Sequence, residues 1–304
     1  MHVPPKVTIV EVGPRDGLQN ERAPIGTADK IAFVNALSGA GHSVIEVSAF
    51  VSPKWVPQMA DASEVFAGIT RRPGTRYTAL VPNQQGLARA IAAGASEVAI
   101  FAAASETFSR RNINQSIDES LANYAKVCAD AAAAGLRVRG YLSTCFVCPF
   151  EGAVAPQRVA EISARLLEIG VYEVAVSDTI GAAHPGMVPR VLDVVSTRVP
   201  LSQIALHFHD TRGTALANVL AGLDYGVTTF DSSAGGLGGC PFAPGAAGNL
   251  ATEDLLFMLN GLGIETGVSI DRVASASRAI AEHLDHALPS RYLQAPAIKL
   301  NFEL

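Results

Sequence analysis

Eight short stretches rich in apolar and β-branched residues recur along the chain: 7–12 (VTIVEV), 43–50 (SVIEVSAF), 76–81 (RYTALV), 97–103 (EVAIFAA), 137–143 (RVRGYLS), 172–177 (YEVAVS), 203–208 (QIALHF) and 227–233 (VTTFDSS). Their starts lie roughly 20 to 40 residues apart, the size of a βα unit. Several are nearly continuous apolar runs, as expected of strands covered on both faces. The segments between them change to helical spacing. Thr27 precedes ADKIAFVNALSGAG as a helix start, 117–134 and 156–169 repeat the style, and a glycine follows each. Asn249 is expected to open the helix LATEDLLFMLNGLG, with Glu253 and Asp254 in the turns that the helix dipole favours for acids. Eight uninterrupted alternations predict an α/β fold, a single closed (β/α)8 TIM barrel. A doubly wound open sheet would need a G-x-G-x-x-G turn after an early strand, and none is present. Residues 269–285 predict one extra helix. The whole chain, 1–304, is expected to form one catalytic domain, with 268–304 as a C-terminal helical extension.

Composition narrows the class. Of 304 residues, 49% are hydrophobic and only 17% charged, which implies a large core that needs no disulfide or structural metal. A net charge of −5 without a basic stripe argues against nucleic acid. No apolar run is long enough to cross a membrane, and no signal or transit segment is recognisable, so a cytoplasmic protein is expected. Cys128, Cys145, Cys148 and Cys240 therefore read as free thiols, with Cys145 and Cys148 buried or half-buried near the fifth strand.

In a barrel of this kind chemistry belongs at the C-terminal ends of the strands. The unusual polar residues fall there. The first strand ends in EVGPRDGLQNE, with Arg15, Asp16 and Gln19; the second carries Glu46 and Ser48; the fifth carries Tyr141; the sixth ends at Asp178; the seventh ends in HFHD. His207 and His209, two apart on a strand, face the same way. A lone histidine in a strand is usually a core residue, but two beside an aspartate are costly to bury without partners. With Asp16 and the Asn249 amide oxygen they make a nitrogen–oxygen set suited to an octahedral divalent ion, Mg2+ or Mn2+. Two histidines and a carboxylate also suit Fe(II). Arg15 can stabilise an oxyanion beside that ion, or serve only as a salt-bridged turn residue. Cys240 lies in a glycine-rich stretch, 234–249, too long for a tight connection. It is a candidate acid, base or nucleophile, the alternative being an inert thiol. Arg110 and Arg111 follow the fourth strand and could hold phosphates, or be a solvated pair.

The motifs VGPRDGLQNE, SAFVSPKWVPQMAD, SDTIG, HFHDTRGTALAN, GGLGGCPFAPGAAGN and ATEDLLFMLNGLGIETG resemble those of 3-hydroxy-3-methylglutaryl-CoA lyases, in that family's order from about Ile9 to Gly267. The resemblance implies a metal-dependent carbon–carbon lyase that splits 3-hydroxy-3-methylglutaryl-CoA into acetyl-CoA and acetoacetate, as in leucine degradation. It implies Asp16, His207, His209 and Asn249 as metal ligands, Arg15 at the enolate oxygen, Cys240 as proton carrier, Glu46 and Asp178 near the substrate hydroxyl and metal waters, and Tyr141 lining the pocket. The candidate catalytic set is thus Arg15, Glu46, Asp178, His207 and Cys240. Arg15, Gln19, Ser48, Arg110, Arg111 and Tyr141 form the candidate substrate-binding set. The expected partners are an acyl-CoA and further copies of the chain, in a dimer or tetramer. Two positions depart from the family's pattern: Ser48–Ala49 stands in place of Thr-Ser, and Arg212 in place of a frequent Tyr. The rival readings are a lyase for citramalyl-CoA or 3-hydroxy-3-isohexenylglutaryl-CoA, a Claisen-condensing synthase of the isopropylmalate or homocitrate type, and a non-catalytic barrel.

Overall fold

The computed structural model describes residues 3–22, 24–238 and 248–296. Eight parallel strands close into a barrel: β1 (Thr8–Glu11), β2 (Val44–Ala49), β3 (Arg76–Leu80), β4 (Glu97–Ala103), β5 (Val138–Ser143), β6 (Val171–Asp178), β7 (Ile204–Phe208) and β8 (Thr229–Ser232), with β8 pairing back onto β1. All eight predicted strands are present, each within two residues of its expected ends. β2 is buried at every position and β7 likewise, because helices cover the outside and side chains fill the inside. A two-stranded hairpin, Val147–Cys148 with Gly152–Ala153, follows β5 and was not anticipated. Cys145 and Cys148 are both buried, as expected.

The helices are α1 (Thr27–Gly39), α2 (Ala62–Gly68), α3 (Gln84–Ala92), α4 (Glu106–Ile113), α5 (Ile117–Ala133), α6 (Pro156–Glu168), α7 (Val188–Val195), α8 (Ala215–Tyr225), α9 (Thr252–Gly261), α10 (Ile270–Ala281) and α11 (Arg291–Gln294). α5 starts with a full capping box between Ser116 and Glu119, and Ser105 caps α4 by accepting the Phe108 N–H. Two expected starts shift. Gly26 rather than Thr27 precedes α1, because the Thr27 hydroxyl donates to Asp61 instead. α9 begins at Thr252, three residues after Asn249, whose side chain is drawn into the barrel mouth. Glu253 and Asp254 do occupy its first turn. Beyond the barrel lies the expected extra helix, α10, packed on α1, and also the short α11 against α9. Among the described residues no helix is long and apolar enough to cross a membrane.

Gly41 ends the turn after α1 with φ 105°, a conformation open to glycine at little cost. A Cβ there would collide with the carbonyl oxygen of Gly267, which is backbone and cannot swing away. Gly41→Ala should therefore cost about 2 kcal/mol or more of stability, from the positive φ and the overlap together. Denaturant midpoints that match the wild type would refute this account of the turn.

Candidate active site

β1 runs into a single π-helical turn, Gly13–Gly17, in which the N–H groups of Arg15, Asp16 and Gly17 all point at the Val12 carbonyl. Such turns re-aim side chains at the end of a regular element. Here the turn sends Arg15 and Asp16 over the barrel mouth. The Arg15 guanidinium donates from Nε to Glu46 Oε2 and from Nη1 to Asp16 Oδ1, each at 2.6 Å. The Tyr141 hydroxyl donates to the same Glu46 oxygen at 3.1 Å, and the Tyr141 ring lies 5.3 Å from the guanidinium carbon. Burial alone would lower the pKa of Arg15; Glu46 and Asp16 outweigh it, so the cation is permanent. Burial pushes the Glu46 carboxyl up, against the pull of Arg15. Its other oxygen, Oε1, is buried with no hydrogen-bond partner among the described residues.

Asp16, His207 and His209 come together from opposite ends of the chain. One potential ligand atom from each lies within 4.8 Å of the others. Burial would raise the Asp16 pKa, but Arg15 and then the two histidines outweigh it and hold the carboxyl at about 2. Burial, reinforced by His207, lowers His209 to about 4, so its ring is neutral and can act as a ligand. His209 lies just past β7, and the two rings are 5.2 Å apart, on one side as the spacing predicted. Asn249 pairs with His209 through a backbone bridge, and its amide nitrogen donates to Asp16 Oδ2 at 2.9 Å and to the Leu237 carbonyl at 3.1 Å. That leaves Asn249 Oδ1 buried without a partner among the described residues, like His209 Nδ1. Imidazole nitrogens and an ionised carboxylate close together, with an unpartnered amide oxygen on a residue bonded to that carboxylate, are the donor types that a divalent cation takes. The residues present fit such an ion.

Other predicted residues have different surroundings. Both oxygens of Asp178 accept N–H groups of the following turn, from Ala182 and Ala183. Ser48 is buried and donates to Met59 Sδ. Gln19 is half-buried on the turn side. Arg110 and Arg111 are exposed on α4: Arg110 pairs with Glu106 at 3.0 Å, and Arg111 stacks 4.3 Å above the Phe150 ring. Arg212 donates to the Ile180 and Gly181 carbonyls and so braces the turn after β6. Cys240 lies outside the described residues.

Sequence reasoning missed the carboxylates beneath the mouth. Glu11 Oε1 accepts the N–H groups of both Gly13 and Ala234, at 2.8 and 2.9 Å, tying the Arg15 turn to the start of the glycine-rich stretch. The Thr252 hydroxyl donates to its other oxygen. Glu253 accepts the Gly235 N–H. Gly238, at φ 105°, passes so close that a Cβ would lie 2.8 Å from Asn249 Nδ2 and 3.3 Å from Gly17 Cα. The signal available was an acid inside each apolar segment, VTIVEV and ATEDLL, where burial is expensive unless the group is bonded.

Fold and site together define a (β/α)8-barrel enzyme with a candidate site at the C-terminal mouth, where a fixed cation lies beside a nitrogen–oxygen cluster. The HMGL-like family pattern matches residues 6–280. The chain belongs to this family and is a lyase. It is 52% identical over 97% of its length, and 98% of the relative's, to a 3-hydroxy-3-isohexenylglutaryl-CoA/hydroxymethylglutaryl-CoA lyase of Pseudomonas aeruginosa. A crystal structure of hydroxymethylglutaryl-CoA lyase from Pseudomonas aeruginosa superposes with a TM-score of 0.95 at 52% identity, covering 97% of this chain and 98% of that one. An HMG-CoA lyase from Acinetobacter baumannii, solved with coenzyme A and 3-methylmalate, gives a TM-score of 0.91 at 39% identity, covering 95% of each chain.

Burial pushes the Glu11 carboxyl up to about 8, against the N–H groups and hydroxyl that bond it. An unfolded glutamate ionises near about 4.3. The stability contributed by this raised pKa is complete below the unfolded value and is lost as pH rises through about 8. Urea midpoints should fall between pH 5 and pH 8, and Glu11→Gln, which stays neutral, should flatten that fall. Parallel slopes for the two proteins would sink the assignment.

Proposed function

We propose that the chain cleaves 3-hydroxy-3-methylglutaryl-CoA into acetyl-CoA and acetoacetate, with a divalent metal ion, in the cytoplasm and in the setting of leucine catabolism. One observation carries the reading: a permanent buried cation, Arg15, lies directly against the Asp16–His207–His209 cluster. Cleaving a β-hydroxy thioester needs a site that activates the hydroxyl and another that receives charge on the thioester oxygen, and these two must be neighbours.

Asp16, His207, His209 and Asn249 would hold the ion, Mg2+ or Mn2+, which supplies Lewis-acid polarisation of the substrate hydroxyl. Arg15, pinned by Glu46 and Asp16, meets the thioester oxygen as negative charge moves onto it. Because the guanidinium is already oriented, little reorganisation accompanies the reaction. Glu46 Oε1 has no partner among the described residues, and that atom is available to take the hydroxyl proton. Asp178 holds its own turn and thereby the wall beside His207. Tyr141 braces Glu46 and closes the floor. Cys240 returns a proton to the acetyl carbon. Ser48, Gln19, Arg110 and Arg111 serve the acyl and CoA portions of the substrate; the exposed guanidinium of Arg110 suits a phosphate.

The relative named for two acyl groups supplies the second reading, a longer branched 3-hydroxyacyl-CoA. A panel of 3-hydroxyacyl-CoA thioesters, with Mg2+ and then with chelator, separates the readings by product mass. Acetyl-CoA and acetoacetate should appear from the methyl substrate, only with metal; turnover of chelated protein would refute the ligand assignment.

Arg15→Gln should lower kcat by more than about a hundredfold, the scale of one lost oxyanion donor, because a full charge is removed. KM should change far less, since that charge is met mainly in the transition state. Wild-type kcat with a raised KM would show that Arg15 only binds substrate.

A further inference from the structure

We infer that Asp231 is a positioning residue for the reaction: it fixes the proton of His207 on Nδ1 and so presents Nε2 to the cluster with Asp16 and His209. Asp231 and His207 are register partners on β8 and β7, and Arg139 and Glu173 are register partners on β5 and β6. Across the barrel interior the four side chains form one line. His207 Nδ1 lies 3.2 Å from Asp231 Oδ2. Arg139 donates to Asp231 from both arms of its fork, Nη2 to Oδ1 at 2.7 Å and Nη1 to Oδ2 at 3.2 Å, and from Nε to Glu173 at 2.7 Å. Arg139 and Asp231 are each 2% exposed.

An ionised carboxylate can only accept, so the His207 nitrogen facing it must carry the hydrogen. Both Asp231 oxygens accept from the Arg139 fork, the bidentate geometry of a guanidinium on a carboxylate. In a neutral ring the lone pair then sits on Nε2, the atom left for the mouth. Arg139 has a second effect. By taking both Asp231 oxygens it keeps that carboxylate from turning to a cation itself. The ligand set therefore stays at one carboxylate, and Asp231 orients without ligating.

A purely structural Asp231, present only to neutralise Arg139, would leave the His207 tautomer undetermined. Two measurements on the full chain separate the cases. Imidazole nitrogens of metal-free wild type at pH 8, read by two-bond 1H–15N correlation and assigned by loss of the pair in His207→Gln, should show Nδ1 protonated. Asp231→Asn keeps an oxygen for Arg139 but turns an NH2 toward the ring, so His207 should switch to Nε2–H. Mn2+ affinity, measured by titration calorimetry, should weaken about 10- to 100-fold in that variant, with an unchanged circular dichroism spectrum. Wild-type His207 carrying its proton on Nε2, or an Asn variant that binds Mn2+ as tightly as wild type, would overturn the inference. If Asp231→Asn does not fold, the wild-type tautomer decides alone. The inference rests on the cluster holding a divalent ion; that reading fails separately, if wild type binds no Mn2+, while the tautomer still tests Asp231.

Discussion

A guanidinium removed from water must be neutralised where it stands, and the mouth of this barrel is organised by how that is done for Arg15. Its partners, Glu46 on β2 and Asp16 on its own turn, come from different elements, so the ion pairs also fix the turn against the sheet. Breaking either pair would leave an uncompensated buried charge, a far larger penalty than the net value of the pair. Asp16 thereby stays ionised, and an ionised Asp16 gives the two histidines a reason to share its neighbourhood. Of the remaining neighbours, Asn249 satisfies the Asp16 oxygen that the arginine leaves over, and Tyr141 donates to the Glu46 oxygen that already accepts from Arg15.

The barrel was legible because its signal is repeated. Eight apolar runs separated by helical spacing leave few alternatives, even though the helices over 62–68, 84–92, 106–113, 188–195 and 215–225 were expected only as connections and not individually bounded. The polar residues at strand ends were legible for the same reason: Arg15, Asp16, Glu46, His207 and His209 stand where the fold puts chemistry, and the structure brings them together. Asn249 was legible as a ligand candidate but not as a loop residue, since an Asn before an apolar run looks like a cap. The polar layers lower in the barrel stayed hidden. Arg139, Glu173 and Asp231 sit singly in three strands, and only closure of the sheet makes them neighbours. Glu11 likewise looks like an ordinary strand residue until Ala234 arrives beside it.

These hidden carboxylates and the visible ones divide the labour. Those at the mouth, Asp16 and Glu46, surround Arg15. Those beneath hold backbone N–H groups or other side chains, and they set where the upper groups point. The tight approach of Gly238 to Asn249 and Gly17 belongs to the same division, since a side chain there would push the Arg15 turn away from the ligand cluster.

The closing bond of the barrel, between β1 and β8, has a consequence for synthesis of the chain. Asp16 leaves the ribosome ahead of β2 to β8, whereas Asn249, bonded to it, follows 233 positions later. β1 has no second neighbour until β8 has emerged, and the cluster has no complete set of donors before then. Such long-range closure is slow, because loop entropy is lost before the contacts that reward it can form. A nascent or truncated chain can therefore build most of its helices and strands while Asp16 still lacks its bond to Asn249. Completion of the Asp16–Asn249 neighbourhood belongs to the end of folding in this architecture rather than to its nucleus.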